Sequence, residues 1–237
     1  MRVLVVIPAY NEAGNLAPLI ARIRSECPGY DILVVNDGSD DDTSAVARQS
    51  GADVIDLPIN LGIGGAVQSG IMYAQYNDYD AAVQVDGDGQ HDPAFIRVLA
   101  DELAKGADLC IGSRFISNTG FRSTSIRRLG IKYFSRLIKL LAGIDASDPT
   151  SGFRAYNRNA INLFAADYPR DYPEPESIVN AAGNGLKISE RPVVMGIRLK
   201  GRSSITIIRS AYYMVKVSLA VIITSLSVQR NTKEYKR

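Results

Sequence analysis

The sequence predicts an α/β chain: a mostly parallel sheet, Rossmann-like, with helices on both faces and an amphipathic helix at its C-terminal end. Three observations predict it. Short β-branched runs alternate with helix-periodic segments through the first half. Those runs are apolar at successive positions rather than at every second one, as expected of strands covered on both faces. Polar, acidic clusters stand where the runs stop, at the edge where open α/β sheets bind ligands.

Residues 3–7 form a first strand, stopped by Pro8. Leu16, Leu19, Ile20 and Ile23 then share one helical face. Residues 32–35 form a second buried strand, ended by Asn36, Asp37, Gly38 and Ser39. Residues 41–50 read as a helix and residues 54–57 as a third strand. Asn60 can cap a helix that carries Val67, Ile71 and Ala74. Residues 81–85 form a fourth strand, broken by Asp86, Gly87, Asp88 and Gly89. Pro93 opens a helix with Ile96, Leu99 and Leu103, and residues 109–111 make a fifth strand. Beyond residue 115 the pattern loosens. Arg122, Arg127 and Arg128 lead into a helix over 131–141. Then come the segment 148–157, a loop holding Tyr172, Pro173, Glu174, Pro175 and Glu176, and a strand within 187–195. The chain divides into a main α/β domain, 1–202, and a helical tail, 203–237.

With 237 residues, 46% of them hydrophobic, the chain can bury one substantial core and a small appendage. A net charge of +2 gives no pull toward polyanions, and no nucleic-acid partner is expected. Cys27 and Cys110 alone make no disulfide framework and point to a reducing cytosolic setting. Together with the single His91 they fall short of a four-ligand structural zinc set. The opening apolar run, about six residues, is too short for a signal peptide.

The sharpest motif is Asp86-Gly87-Asp88-Gly89-Gln90, directly after a buried strand. Two carboxylates one residue apart can reach one hard cation, which can bridge a diphosphate. A plain Asp/Gly turn is the alternative. A calcium EF-hand loop is excluded, because His91 stands where its Gly is needed and Arg97 where its Glu is needed. Pro8, Ala9, Tyr10, Asn11 and Glu12 close the first strand, and Asp37, Gly38 and Ser39 close the second. Acids at such ends can bond ribose or a base edge; capping by Asn11 and a turn at Asp37 explain part of the pattern. The glycine-rich segment 60–66 follows the third strand rather than the first, so it is no dinucleotide fingerprint. Gly62 and Gly65 either let backbone approach a diphosphate or let a helix pack closely on the sheet.

These segments together resemble the family 2 glycosyltransferases, which have a GT-A fold. The resemblance is carried in order by IPAYNE, VVNDGSDDDT, NLGIGGAVQSG, VQVDGDGQHDP, GSRF, DPTSGFRAYN and RLKGRSS. It looks closest to the polyprenyl-phosphate, dolichyl-phosphate-mannose-synthase-like branch. The resemblance implies a nucleoside held by Pro8, Ala9, Tyr10, Glu12 and Asp37. It implies Mg²⁺ or Mn²⁺ and the donor diphosphate at Asp86, Asp88 and Gln90, with His91 beside them as a supporting or packing residue. It implies an inverting transfer from a nucleotide sugar, UDP-linked by preference and GDP- or dTDP-linked otherwise, to a polyprenyl (undecaprenyl) phosphate.

A hydroxyl acceptor needs a general base, and Asp148, Glu174 and Glu176 are the candidates. A phosphate acceptor is already anionic, its second pKa being about 6, and needs cations instead. The acceptor-side half supplies Arg114, Arg127, Arg128, Arg154, Arg198, Lys200 and Arg202. Arg114, Arg128 and Arg202, with Ser203 as a hydrogen-bond donor, are the chosen phosphate ligands; Asp148 and Arg154 can instead pair around the Ser151-Gly152-Phe153 turn. In the tail, Ile205, Ile208, Tyr212, Val215, Leu219, Ile222 and Leu226 share one face. Its uncharged run of about 13 residues falls short of the roughly 20 a spanning helix needs. The expectation is peripheral attachment at the cytoplasmic face of a membrane, with a small membrane-protein partner or a second copy as further occupants of that face. Transfer to a hydroxyl of a polysaccharide or glycolipid, and a non-catalytic nucleotide-sugar binder, are the competing readings. The lack of Trp weighs against the first, and the Asp86, Asp88, Gln90 set against the second.

Overall fold

The computed structural model describes residues 1–116, 125–196 and 207–234. The chain begins β1 (Val3–Ala9), α1 (Ala13–Glu26), β2 (Asp31–Asn36), α2 (Thr43–Gln49), β3 (Asp53–Asp56), α3 (Gly62–Tyr76) and β4 (Ala81–Gln84). It continues through α4 (Ile96–Ala104), β5 (Leu109–Ser113), α5 (Ser125–Ala142), β6 (Arg154–Asn157), α6 (Arg158–Ala166), α7 (Pro173–Gly183), β7 (Ile188–Pro192) and α8 (Ile207–Glu234). The sheet order is β3-β2-β1-β4-β6-β5-β7. All its pairings are parallel except those of β6, which runs antiparallel to both β4 and β5. The predicted sheet with helices on both faces is observed.

All seven residues of β1 are buried. Because successive side chains leave a strand on opposite faces, Leu4 and Val6 join Leu33, Val67, Ile71 and Phe164 on one side. Val3, Val5 and Ile7 join Leu16, Ile20, Ile23 and Leu99 on the other.

Three differences from the expectations have physical causes. β6 differs from the expectation because a strand of four residues that begins with Arg154 and ends with Asn157 has no apolar signature, and α6 follows it directly. The expected loop at 172–176 is the first turn of α7. Pro173 stands at the first helical position, and the first-turn N–H groups that Pro173 and Pro175 lack have no intrahelical partner in any case. Glu174 and Glu176 add favourable charge at that end of the helix dipole. Finally, α1 is not capped by Asn11, whose backbone is left-handed at φ 56°. The N–H groups of Asn11, Glu12 and Ala13 donate to Ser39 Oγ (2.9 Å), Thr43 Oγ1 (2.9 Å) and Asp41 Oδ2 (3.2 Å). The loop after β2 therefore caps the helix after β1 and locks the two strand ends together.

α8 buries Val217 and Val221 in the core on the α5–α7 side. A Cβ on Gly183 would lie 2.3 Å from Val228, so α7 and α8 meet only because that position is glycine. The opposite face of α8 exposes Tyr212, Val215, Leu219, Ile222, Ile223 and Leu226. Among the described residues, no helix is long and apolar enough to cross a membrane.

Candidate active site

A cleft of about 240 Å³ opens at the carboxyl ends of β1, β2 and β4. Pro8, Ala9, Tyr10 and Glu12 line it from the end of β1, and Asp37 from the end of β2. Ile63 and Ala66 contribute from α3, and Asp86, Gly87 and Asp88 from the loop after β4. Most of the predicted donor-side residues are therefore brought together. Gly62 and Gly65 are not among the lining residues. Gly64 serves packing, since a Cβ there would lie 2.1 Å from the Arg170 carbonyl oxygen, whereas Gly62 has open space around it and a left-handed backbone, φ 78°.

Asp37 is buried, and its Oδ1 accepts the Leu61 N–H at 2.7 Å. Burial pushes its pKa up, while the Leu61 and Gly62 N–H groups pull it back. Asp37 thus anchors the start of α3 to the end of β2. The Glu12 carboxylate accepts from Asn15 Nδ2 at 2.5 Å, one helical turn on. Gly87 lets the two loops approach, since a Cβ there would sit 3.2 Å from the Pro8 carbonyl oxygen.

Asp86 keeps 39% of its side chain exposed, whereas Asp88 is buried at 7%. Asp88 Oδ1 accepts the backbone N–H of Gln90 at 3.0 Å; the Gln90 side chain is not part of the cleft wall. Among the described residues, no group of three or more His, Cys, Asp or Glu is placed to hold a metal ion unaided. Two adjacent carboxylates suit Mg²⁺ or Mn²⁺, which commonly bind one or two acids and complete their shells with water and phosphate oxygens. They do not suit a self-contained zinc site.

The sequence places His91 beside Asp86 but does not signal Gly152. His91, 2% exposed, accepts the Asp86 N–H on Nδ1 at 3.0 Å. Gly152 sits where a Cβ would be 3.3 Å from Asp86 Oδ1. The β4–β6 pairing, which sets Gln84 opposite Arg154, carries that turn to the cleft. Only His91, five residues past Asp86, was legible as a neighbour.

On the acceptor side, Arg114 and Asp148 form a buried bidentate pair, 5% and 0% exposed. Arg114 and Asp148, expected as a phosphate ligand and a general-base candidate, are thus each other's partners, and the alternative pairing of Asp148 with Arg154 is not formed. Arg154, fully buried, donates instead to the Ser151 carbonyl (2.7 Å), Ser177 Oγ (2.6 Å) and the Glu174 carbonyl (2.8 Å). Glu174 and Glu176, both in the first turn of α7, diverge. Burial pushes the Glu174 pKa up, the Arg154 guanidinium opposes this, and the Asp86 charge adds to it. Glu176 turns to α8, where it accepts from Thr224 Oγ1 at 2.8 Å. Burial raises its pKa too. Arg128 is exposed near the start of α5. Arg122, Arg198, Lys200, Arg202 and Ser203, and the Arg127 side chain, lie outside the described residues.

A sheet of this order, with an acidic loop at the carboxyl end of β4 and one antiparallel strand beside it, defines the GT-A class of transferase. Glucosyl-3-phosphoglycerate synthase from Mycobacterium tuberculosis, solved with Mn²⁺, UDP and glucosyl-3-phosphoglycerate, is similar in fold: TM-score 0.67, 21% identity, 96% of this chain and 79% of that one. The model for glycosyl transferase family 2 matches residues 4–164, and the chain belongs to that family. Polyprenol monophosphomannose synthase from Mycolicibacterium smegmatis is 34% identical over 86% of this chain and 81% of its own length. Undecaprenyl-phosphate mannosyltransferase from Micrococcus luteus is 31% identical over 87% and 88%.

Proposed function

We propose that this glycosyltransferase moves a sugar from a nucleotide sugar to a polyprenyl phosphate at a membrane surface. The observation that carries the reading is the convergence of Asp86 and Asp88 with Tyr10, Glu12 and Asp37 on one cleft. The names of the two relatives support the lipid-phosphate acceptor and make a mannosyl donor the first to test.

In this reading Pro8, Ala9, Tyr10, Glu12 and Asp37 hold the nucleoside, and Asp86, Asp88 and Gln90 hold the diphosphate end. Mg²⁺ or Mn²⁺, when bound there, neutralises charge on the departing diphosphate; the Mn²⁺ and UDP of the solved synthase support that choice. An acceptor phosphate oxygen attacks the anomeric carbon from the face opposite the diphosphate. The anomeric C–O bond breaks, its electron pair leaves with the nucleoside diphosphate, and configuration inverts. No proton has to be removed from an acceptor that is already anionic. Arg128, exposed, together with Arg202 and Ser203, meets the acceptor phosphate. Arg114, gripped by Asp148, shapes the loop after β5.

Residues 1–202 form the catalytic domain in this reading, and the segment 203–237 supplies peripheral attachment. The exposed Tyr212, Val215, Leu219 and Leu226 of α8 support it. The cytoplasmic face is where a nucleotide sugar is available, and a membrane protein or a second copy would dock on the same helix.

The test is nucleotide release from UDP-, GDP- and dTDP-sugars, with and without Mg²⁺ or Mn²⁺ and undecaprenyl phosphate. Release that requires both the ion and the lipid phosphate is expected. Equal release with a sugar-hydroxyl acceptor, or release undiminished by a chelator, would overturn the reading.

A further inference from the structure

We infer that His91 is a positioning residue that fixes Asp86 for cation binding by holding both its backbone and its carboxylate. The inference rests on the reading of Asp86 as a ligand. His91 is the one histidine of the chain. Its Nδ1 accepts the Asp86 N–H at 3.0 Å, so that nitrogen carries no proton and the neutral ring bears its proton on Nε2. Nε2 lies 3.5 Å from Asp86 Oδ2, an orienting contact longer than a full hydrogen bond.

The ring cannot turn to do otherwise. It stacks on the buried Phe153, with centroids 4.6 Å apart and planes 9° apart. Residue 91 also bridges Met195 in an isolated antiparallel pair, and Gly196 N–H donates to the Gln90 carbonyl at 2.8 Å. Gly152 leaves the carboxylate its room, since a Cβ there would lie 3.3 Å from Oδ1 and 3.5 Å from Oδ2. The Asp86 backbone is thereby fixed from beneath, and its carboxylate, partly open to solvent, faces Nε2. Partners that hold a ligand in this way typically cost about 10- to 100-fold in metal affinity when removed.

A packing residue and a positioning residue predict different variants. His91→Phe keeps the stacked ring and loses both nitrogens. His91→Asn sets an amide oxygen where Nδ1 stands, keeping the acceptor for the Asp86 N–H, but has nothing to reach Oδ2. Mn²⁺ affinity of the full chain with UDP, followed by electron paramagnetic resonance, is expected to fall in the order wild type, His91→Asn, His91→Phe. The last should be at least about tenfold weaker. Long-range ¹⁵N–¹H correlation spectra of the metal-free protein should show the lone histidine as the neutral Nε2–H tautomer. A folded His91→Phe that binds Mn²⁺ within twofold of wild type overturns the inference, as does an Nδ1–H tautomer. Should His91→Phe not fold, His91→Asn decides by the same affinity criterion. Asp88→Ala is the control: wild type binding no more Mn²⁺ than that variant removes the cation reading itself, whatever His91 does.

Discussion

Asp148, with no exposed surface, grips Arg114 through both carboxylate oxygens, Oδ2 to Nε at 2.6 Å and Oδ1 to Nη2 at 2.7 Å. It also accepts the Arg114 backbone N–H at 3.1 Å. The Glu190 carboxylate in turn receives the N–H groups of Ser147 and Asp148. This network joins β5, β7 and the turn before β6. Asp148→Ala should therefore destabilise the fold by about 3–5 kcal/mol, the usual effect of stranding a buried charge. The double variant Arg114→Met/Asp148→Leu should recover part of that loss. Urea unfolding midpoints check both, and an unchanged midpoint for Asp148→Ala would refute the structural role.

Asp88→Ala should reduce ion-dependent turnover by on the order of a hundred- to a thousandfold, the rate equivalent of several kcal/mol of lost charge stabilisation. The residue sits on a polar loop rather than in an apolar cluster, so the melting temperature should change little. Steady-state nucleotide release and a thermal melt are the two measurements. A large fall in the melting temperature would locate the effect in folding.

Glu174→Gln tests whether chemistry needs a base. General-base catalysis contributes about 10²- to 10⁴-fold. With a lipid phosphate as acceptor, Glu174→Gln should retain kcat within roughly tenfold, below that range. A loss of a thousandfold with the carbonyl-to-Arg154 bond intact would reinstate Glu174 as the base and point to a hydroxyl acceptor.

Glu176 supplies a pH signature. Burial raises its folded-state pKa above the ordinary 4.5, and the Thr224 bond only partly offsets this. The folded state then binds more protons than the unfolded state between the two values. Glu176's contribution is full below the ordinary value and is lost as pH rises through the folded one. Glu176→Gln keeps an oxygen for Thr224 Oγ1 and removes the ionisation. Its melting temperature should exceed wild type on the alkaline side of that window and match it on the acid side. A pH-independent difference between the two proteins would contradict this.

What could be read from sequence follows from how local each signal is. β1 and β2 announce themselves because nearly every residue is apolar and buried. The Asp86–Asp88 loop is legible because both acids and the strand before them are contiguous. The caps of α1 were not legible: Ser39, Asp41 and Thr43 act on a helix 28 to 31 positions away. β6 was hidden because Arg154, buried through carbonyls and Ser177, breaks the apolar pattern of a central strand. α7 was hidden by its prolines, and the role of Gly152 by a pairing that no nearby residue signals.

The antiparallel β6 also sets the order of assembly. β4 and β5 do not pair with each other; each meets the other only through residues 154–157. A nascent chain that has left the ribosome as far as β5 still carries an open β4 edge, a surface prone to mispairing. The acidic loop after β4 therefore gains its Gly152 and Phe153 floor only after the segment between β5 and β6 has been translated. A fragment ending before that point leaves the β4 edge without its partner and the acidic loop without its floor.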